Sequence, residues 1–187
     1  MKKAVVLLAG GFEDVEAITP IDYLRRAGID VTIASISQNL EVTSRWGGIK
    51  VIADTTLTEI LSNNEQINLD AVILPGGMPG ATNLAASAEV SKLLNETNSA
   101  GKLICAICAS PAMILAPQGF LSGKRFTCYP GMEEKVAGGS WSQDRVVVDG
   151  NIITSRGAGT AGEFAVAIIG KLLDEATAKK IAEAVLL

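Results

Sequence analysis

Short apolar runs rich in β-forming residues alternate with stretches of helical period along this chain, and glycine or proline closes each run. Val5–Ala9, Asp30–Ser35, Ala71–Leu74 and Leu103–Ile107 are the core strands of this pattern. Between the first two, Val15, Ile18, Ile21, Asp22, Leu24 and Arg25 recur at helical spacing and Gly28 supplies a stop, which makes a βαβ unit. Gly48–Ala53 suggests a short antiparallel addition. Arg145–Val148 and Asn151–Ser155 flank Asp149-Gly150, a pair suited to a type I′ hairpin turn. Two helices, over Thr160–Leu173 and Ala176–Leu186, close the chain. With no internal repeat, low-complexity tract or linker, the pattern predicts one α/β domain over residues 1–187, built on a mostly parallel sheet with crossover helices.

Composition narrows the function. A chain of 187 residues that is 48% hydrophobic and 19% charged has the makings of a sizeable core. A formal charge of −4 without a lysine or arginine run speaks against a nucleic-acid surface, which draws its affinity from clustered cations. No apolar stretch is long enough to cross a bilayer, and the run after Met1-Lys2-Lys3 ends too early, at Gly10-Gly11, for a signal peptide. Three cysteines do not suggest a disulfide framework, so a reducing cytoplasm is expected. The chain has no histidine. Ser-His-Asp and Cys-His triads and histidine-based zinc motifs are therefore impossible within it, and a nucleophile must be activated by a carboxylate, a helix N-terminus or backbone N–H groups.

Cys108 is the candidate nucleophile. It sits where the strand Leu103–Ile107 turns into a helix expected near Ser110-Pro111, a place where the helix dipole and free N–H donors favour thiolate. Open α/β sheets also bind ligands at the carboxyl ends of their strands. Cys105 completes a Cys-x-x-Cys, but lies inside the strand and reads as a small core residue; Cys128 alone cannot complete a zinc site. Glu13, Asp14 and Glu16 open the first helix near the same sheet edge. The first two serve as dipole complements, whereas helical period turns Glu16 inward, where desolvation and a neighbouring thiolate would raise its pKa and let it carry a proton. Pro75-Gly76-Gly77 could present backbone N–H groups as an oxyanion hole or form a plain turn. Gly157-Ala158-Gly159-Thr160-Ala161-Gly162 matches a dinucleotide fingerprint but lacks the strand that must follow, so it reads as a turn. No cofactor and no metal are expected.

Glu16, Leu-Pro-Gly-Gly at 74–77, Ala-Ile-Cys-Ala-Ser-Pro at 106–111 and Thr-Ser-Arg-Gly-Ala-Gly-Thr at 154–160 together resemble the ThiJ/PfpI superfamily, specifically its parkinsonism-associated deglycase branch, across nearly the whole chain. The resemblance implies a flavodoxin-like three-layer sandwich and a homodimer. It implies that Cys108 is the nucleophilic-elbow cysteine, Glu16 its hydrogen-bonded acid, and Gly77 and Ala109 the backbone donors. The activity it implies is that of a glyoxalase III, or a deglycase of glycated amino groups: the Cys108 thiolate adds to an α-oxoaldehyde such as methylglyoxal, Glu16 shuttles the proton, and a 2-hydroxy acid is released. The chain departs from the pattern where the family often has an active-site histidine, here Tyr129, whose phenol can still donate a hydrogen bond. Ala109 stands where protease-like members have histidine, which disfavours proteolysis. The alternative reading is a redox-responsive stress sensor, in which Cys108 is oxidised to sulfinate, or a chaperone.

Overall fold

The computed structural model describes residues 1–46 and 48–187. In chain order the elements begin with β1 (Lys3–Leu8), α1 (Asp14–Arg26), β2 (Asp30–Ser35), β3 (Glu41–Thr43), β4 (Lys50–Ile52), β5 (Thr55–Thr56) and α2 (Leu57–Ser62). They continue with β6 (Ala71–Leu74), α3 (Gly80–Ala86), α4 (Ala88–Ser99), β7 (Leu103–Ile107), β8 (Arg125–Phe126) and β9 (Ser140–Trp141), and end with β10 (Val146–Asp149), β11 (Ile152–Ser155), α5 (Ala161–Leu172) and α6 (Glu175–Ala184). A seven-stranded sheet runs β10-β11-β7-β6-β1-β2-β5, and every pair in it is parallel except the β10–β11 hairpin. This is the three-layer α/β fold that the pattern and the resemblance predict.

The layers follow from strand alternation. In β1, Val6 and Leu8 face a core shared with Phe164 and Ile168 of α5, while Val5 and Leu7 face a second core with Leu93 and Leu94 of α4. In β7, Cys105 and Ile107 take the first face, Ile104 and Ala106 the second. Both faces are apolar because helices cover both. The switch of strand order between β6 and β1 opens a crevice at their carboxyl ends, and the site lies there.

Three expectations need correction. First, Val15 and Ile18 share the helical spacing of α1 but are exposed, and Glu16, Ala17, Pro20, Ile21 and Leu24 form its buried face. Spacing fixes a helix but not which of two overlapping stripes meets the sheet. Second, the helix expected after Cys108 is only a five-residue π-type turn, Pro111–Leu115, cut short before Pro117 and Gly119. Third, α2, α3 and α4 fill the second face without having been singled out in the sequence. The antiparallel addition is real but smaller: β4 pairs with β3, apart from the main sheet.

Candidate active site

Cys108 has φ +65°, a left-handed conformation uncommon for a residue with a side chain. Its surroundings hold it there. The Cys108 N–H donates to the Ser155 carbonyl at 2.9 Å, and its own carbonyl accepts from the Tyr129 N–H at 2.8 Å. Beside it, Ser110 Oγ donates to the Pro75 carbonyl at 2.6 Å, tying the end of β7 to the end of β6. The bend lifts the thiol out of the strand ladder into a crevice, whereas Cys105, three residues earlier, is fully buried in the core.

Glu16 reaches the same point from α1. Only 1% of its surface is exposed, its Oε2 accepts the Gly76 N–H at 2.8 Å, and its carboxyl lies beside the Cys108 side chain. A second backbone donor, the Ala158 N–H, faces the carboxyl. Gly76 is required by space: a Cβ there would lie 2.6 Å from Glu16 Oε2 and 2.7 Å from Cys108 Cβ. Gly77 is required by conformation as well, with φ +86° and a virtual Cβ 2.5 Å from the Glu13 nitrogen. The N–H groups of Gly77 and Ala109 point toward the Cys108 sulfur.

Electrostatics couple the pair. Burial raises the Glu16 carboxyl from 4.5 to about 7, and Glu13 adds to the rise; the contacts with Cys108, Gly76 and Ala158 pull the other way. Burial also pushes the Cys108 thiol up, as does the neighbouring Glu16, against the smaller pull of the Ala109 and Gly77 N–H groups. The lowering expected from a helix dipole does not prevail, because a five-residue turn has little dipole to offer. Two acids in contact titrate as a unit. Burial favours the protonated form of both, and a pair that holds one proton can be written as thiol with carboxylate or as thiolate with carboxylic acid. The second form sets a thiolate and a carboxylic acid side by side.

A cavity of about 590 Å³ opens onto the pair. Tyr129, Met78, Met132, Trp46 and Arg45 are among its walls. The structure thus brings together Cys108, Glu16, Gly77, Ala109 and Tyr129, with Tyr129 half-exposed on the wall. Burial pushes the Cys128 thiol up to about 12, and this side chain has no surface exposure, so it stands apart from the site. Arg45 and Trp46 escape sequence reasoning because they lie in the turn between β3 and β4, far in sequence from every motif. Ala158 escapes it because only its backbone takes part. The 157–160 turn that presents it is knotted by Thr160, whose Oγ1 accepts from the Gly157 N–H and donates to the Gly157 carbonyl.

Residues 2–171 match the DJ-1/PfpI family. The chain is 41% identical over 187 residues to protein dj-1beta of Drosophila melanogaster, covering 99% of this chain and 97% of that one. It is 34% identical over 174 residues to a Caenorhabditis elegans protein named glutathione-independent glyoxalase DJR-1.2, covering 91% and 89%. It spans only 40% of the length of protein DJ-1 homolog B from Arabidopsis thaliana, to which it is 39% identical over 181 residues. Among solved structures, oxidized Toxoplasma gondii DJ-1 superimposes with a TM-score of 0.94 at 38% identity, covering 100% of this chain and 98% of that one. The chain belongs to the DJ-1/PfpI family.

Proposed function

We propose that the protein is a cysteine-dependent enzyme that converts α-oxoaldehydes to 2-hydroxy acids without glutathione, cofactor or metal. The observation that carries this reading is the contact between the Cys108 thiol and the Glu16 carboxyl at a strained strand end, ringed by the N–H groups of Gly76, Gly77, Ala109 and Ala158. The name of the nematode relative supports it.

In this reading the thiolate sulfur bonds to the aldehyde carbon of methylglyoxal, and Glu16 gives its proton to the resulting oxyanion, leaving a neutral hemithioacetal. Glu16, now a carboxylate, takes the proton from that carbon and returns it to the neighbouring carbonyl carbon through an enediol. One carbon is oxidised and its neighbour reduced, so no external oxidant is needed. Water then cleaves the thioester, releasing lactate and restoring the pair. Tyr129 serves as an auxiliary hydrogen-bond donor. Glycated amino groups are a related substrate class, since their reactive carbon is at the same oxidation level.

Incubation with methylglyoxal in the absence of glutathione should yield lactate, and Cys108→Ser should abolish it while Cys105→Ser leaves most of it. No lactate from the unmodified protein, or equal losses in both variants, would overturn the reading.

A second reading has its own support. A buried acid beside an accessible thiol can donate to an oxidised sulfur, and a relative has been solved in an oxidized state. Peroxide converting Cys108 to sulfinate in a protein without lactate turnover would favour this sensor role. We also infer a homodimer from the exposed Val15 and Ile18 on α1 and from Ile49 and Ile52 on the adjoining β3–β4 hairpin. A reducing cytoplasm suits three free cysteines.

A further inference from the structure

We propose that the active-site cavity is built for an α-oxoaldehyde carrying a terminal anionic group, a carboxylate or a phosphate, held by Arg45 and Lys135. This rests on the reading of Cys108 and Glu16 as the reacting pair and names the substrate class they serve.

Size gives the first reason. About 590 Å³ is in the range of pockets that enclose substantially larger ligands than a three-carbon aldehyde. A substrate that fills it must extend well beyond the carbons that react at Cys108.

Charge gives the second. Two cations line this cavity, Arg45 and Lys135, and neither has a carboxylate within ion-pair distance among the described residues. Most other lysines and arginines do: Lys2, Arg25, Arg26, Lys50, Lys102, Arg125 and Arg145 are all paired. The acids on the cavity wall are Glu13 and Glu16, and Glu16 is committed to Cys108 and Gly76. Among the described residues, two cations without an ion-pair partner thus share the wall of this cavity with one such carboxylate, Glu13, while the overall charge of the chain is −4.

Arg45 is also held in place. Its backbone N–H donates to the Phe12 carbonyl at 2.9 Å, and its guanidinium stacks on Trp46 with 4.4 Å to the ring centre. A guanidinium stacked by its face keeps its N–H edge free, and that edge matches two oxygens of a carboxylate or phosphate. The ammonium of Lys135, from the turn Glu133–Lys135, adds a second charge.

The test compares kcat/KM for 4,5-dioxopentanoate and for 3-phosphooxy-2-oxopropanal with that for the neutral 2-oxopentanal. At least one anionic substrate should be preferred on the order of tenfold or more, the preference shrinking as salt is raised. In the Arg45→Gln, Lys135→Gln double variant the ratio should fall toward one. A binding arm is independent of turnover: glutarate or inorganic phosphate, but not pentanediamide, should slow alkylation of Cys108 by iodoacetamide, and the double variant should lose this protection. Protection without turnover would keep the anion site and sink the oxoaldehyde activity. Turnover with a ratio near one and no protection, or a ratio and protection unchanged in the double variant, would overturn the anion site.

Discussion

At the amino end of β6, Asp70 accepts the Lys3 N–H at 2.9 Å and the ammonium groups of Lys2 and Lys102 at 3.0 and 3.1 Å. Just beyond its carboxyl end, the Gly76 N–H meets Glu16, which has no ion-pair partner among the described residues. Partial burial works to raise the Asp70 carboxyl, but the Lys3 N–H and the two lysines outweigh it and bring it down to about 2. Burial lifts Glu16 to about 7. One strand therefore separates an acid that cations hold charged from an acid that burial favours in its protonated form. The difference lies in what each is given to offset desolvation: cations at one end, backbone dipoles and a thiol at the other.

The sign of each contribution follows. Asp70 has a folded pKa below its ordinary 3.8, so its stabilisation is present above that value and lost as pH falls toward 2. Glu16 has a folded pKa above its ordinary 4.5, so its contribution is complete below 4.5 and lost as pH rises through about 7. At neutral pH the first acid supports the fold and the second strains it.

The largest expected effect comes from Glu16→Gln. The amide keeps a donor for the sulfur and an acceptor for Gly76 but carries no titrating proton, so lactate production should fall by about 10²–10⁴. The same variant should be more stable than the parent at pH 8, by about 1–3 kcal/mol in urea unfolding, with the gap closing toward pH 4.5. Loss of stability at pH 8 would contradict the assigned strain. Next is Gly76→Ala, whose new methyl must displace Glu16, Cys108 or the loop. It should cost about 1–3 kcal/mol by thermal or urea unfolding, and turnover should fall with the pair's geometry. The smallest effect is that of Asp70→Asn, which should lower stability at pH 7 by about 0.5–1.5 kcal/mol and leave kcat/KM for methylglyoxal unchanged. A large catalytic loss in that variant would erase the distinction between the two ends.

Much of this contrast was legible in the residues. The strands β2, β6 and β7 fall where the sequence pattern places them, β6 and β7 as apolar runs buried on both faces and β2 through the alternation of its first residues. Cys108 and Glu16 could be paired because a strand-to-helix turn and an inward acid both point to the carboxyl edge of the sheet. The protonation of the pair was half legible: the rise at Glu16 follows from burial, but the thiol's own environment depends on the length of the turn after it, which Pro111 alone does not reveal. The Asp70 cluster joins Lys2, Asp70 and Lys102 through sheet register, which no local pattern carries. Arg45 and Trp46 reach the cavity for the same reason, through the placement of the β3–β4 turn.

The shared proton is tested most directly by the rate of Cys108 alkylation by iodoacetamide as a function of pH, in the unmodified protein and in Glu16→Gln. If the pair loses its first proton as a unit, the unmodified protein should gain reactivity with a midpoint near pH 7. The Gln variant should gain it only well above that pH, because a desolvated thiol must then ionise alone. The same midpoint in both proteins would show that Cys108 ionises without Glu16, and the pair as drawn here would be wrong.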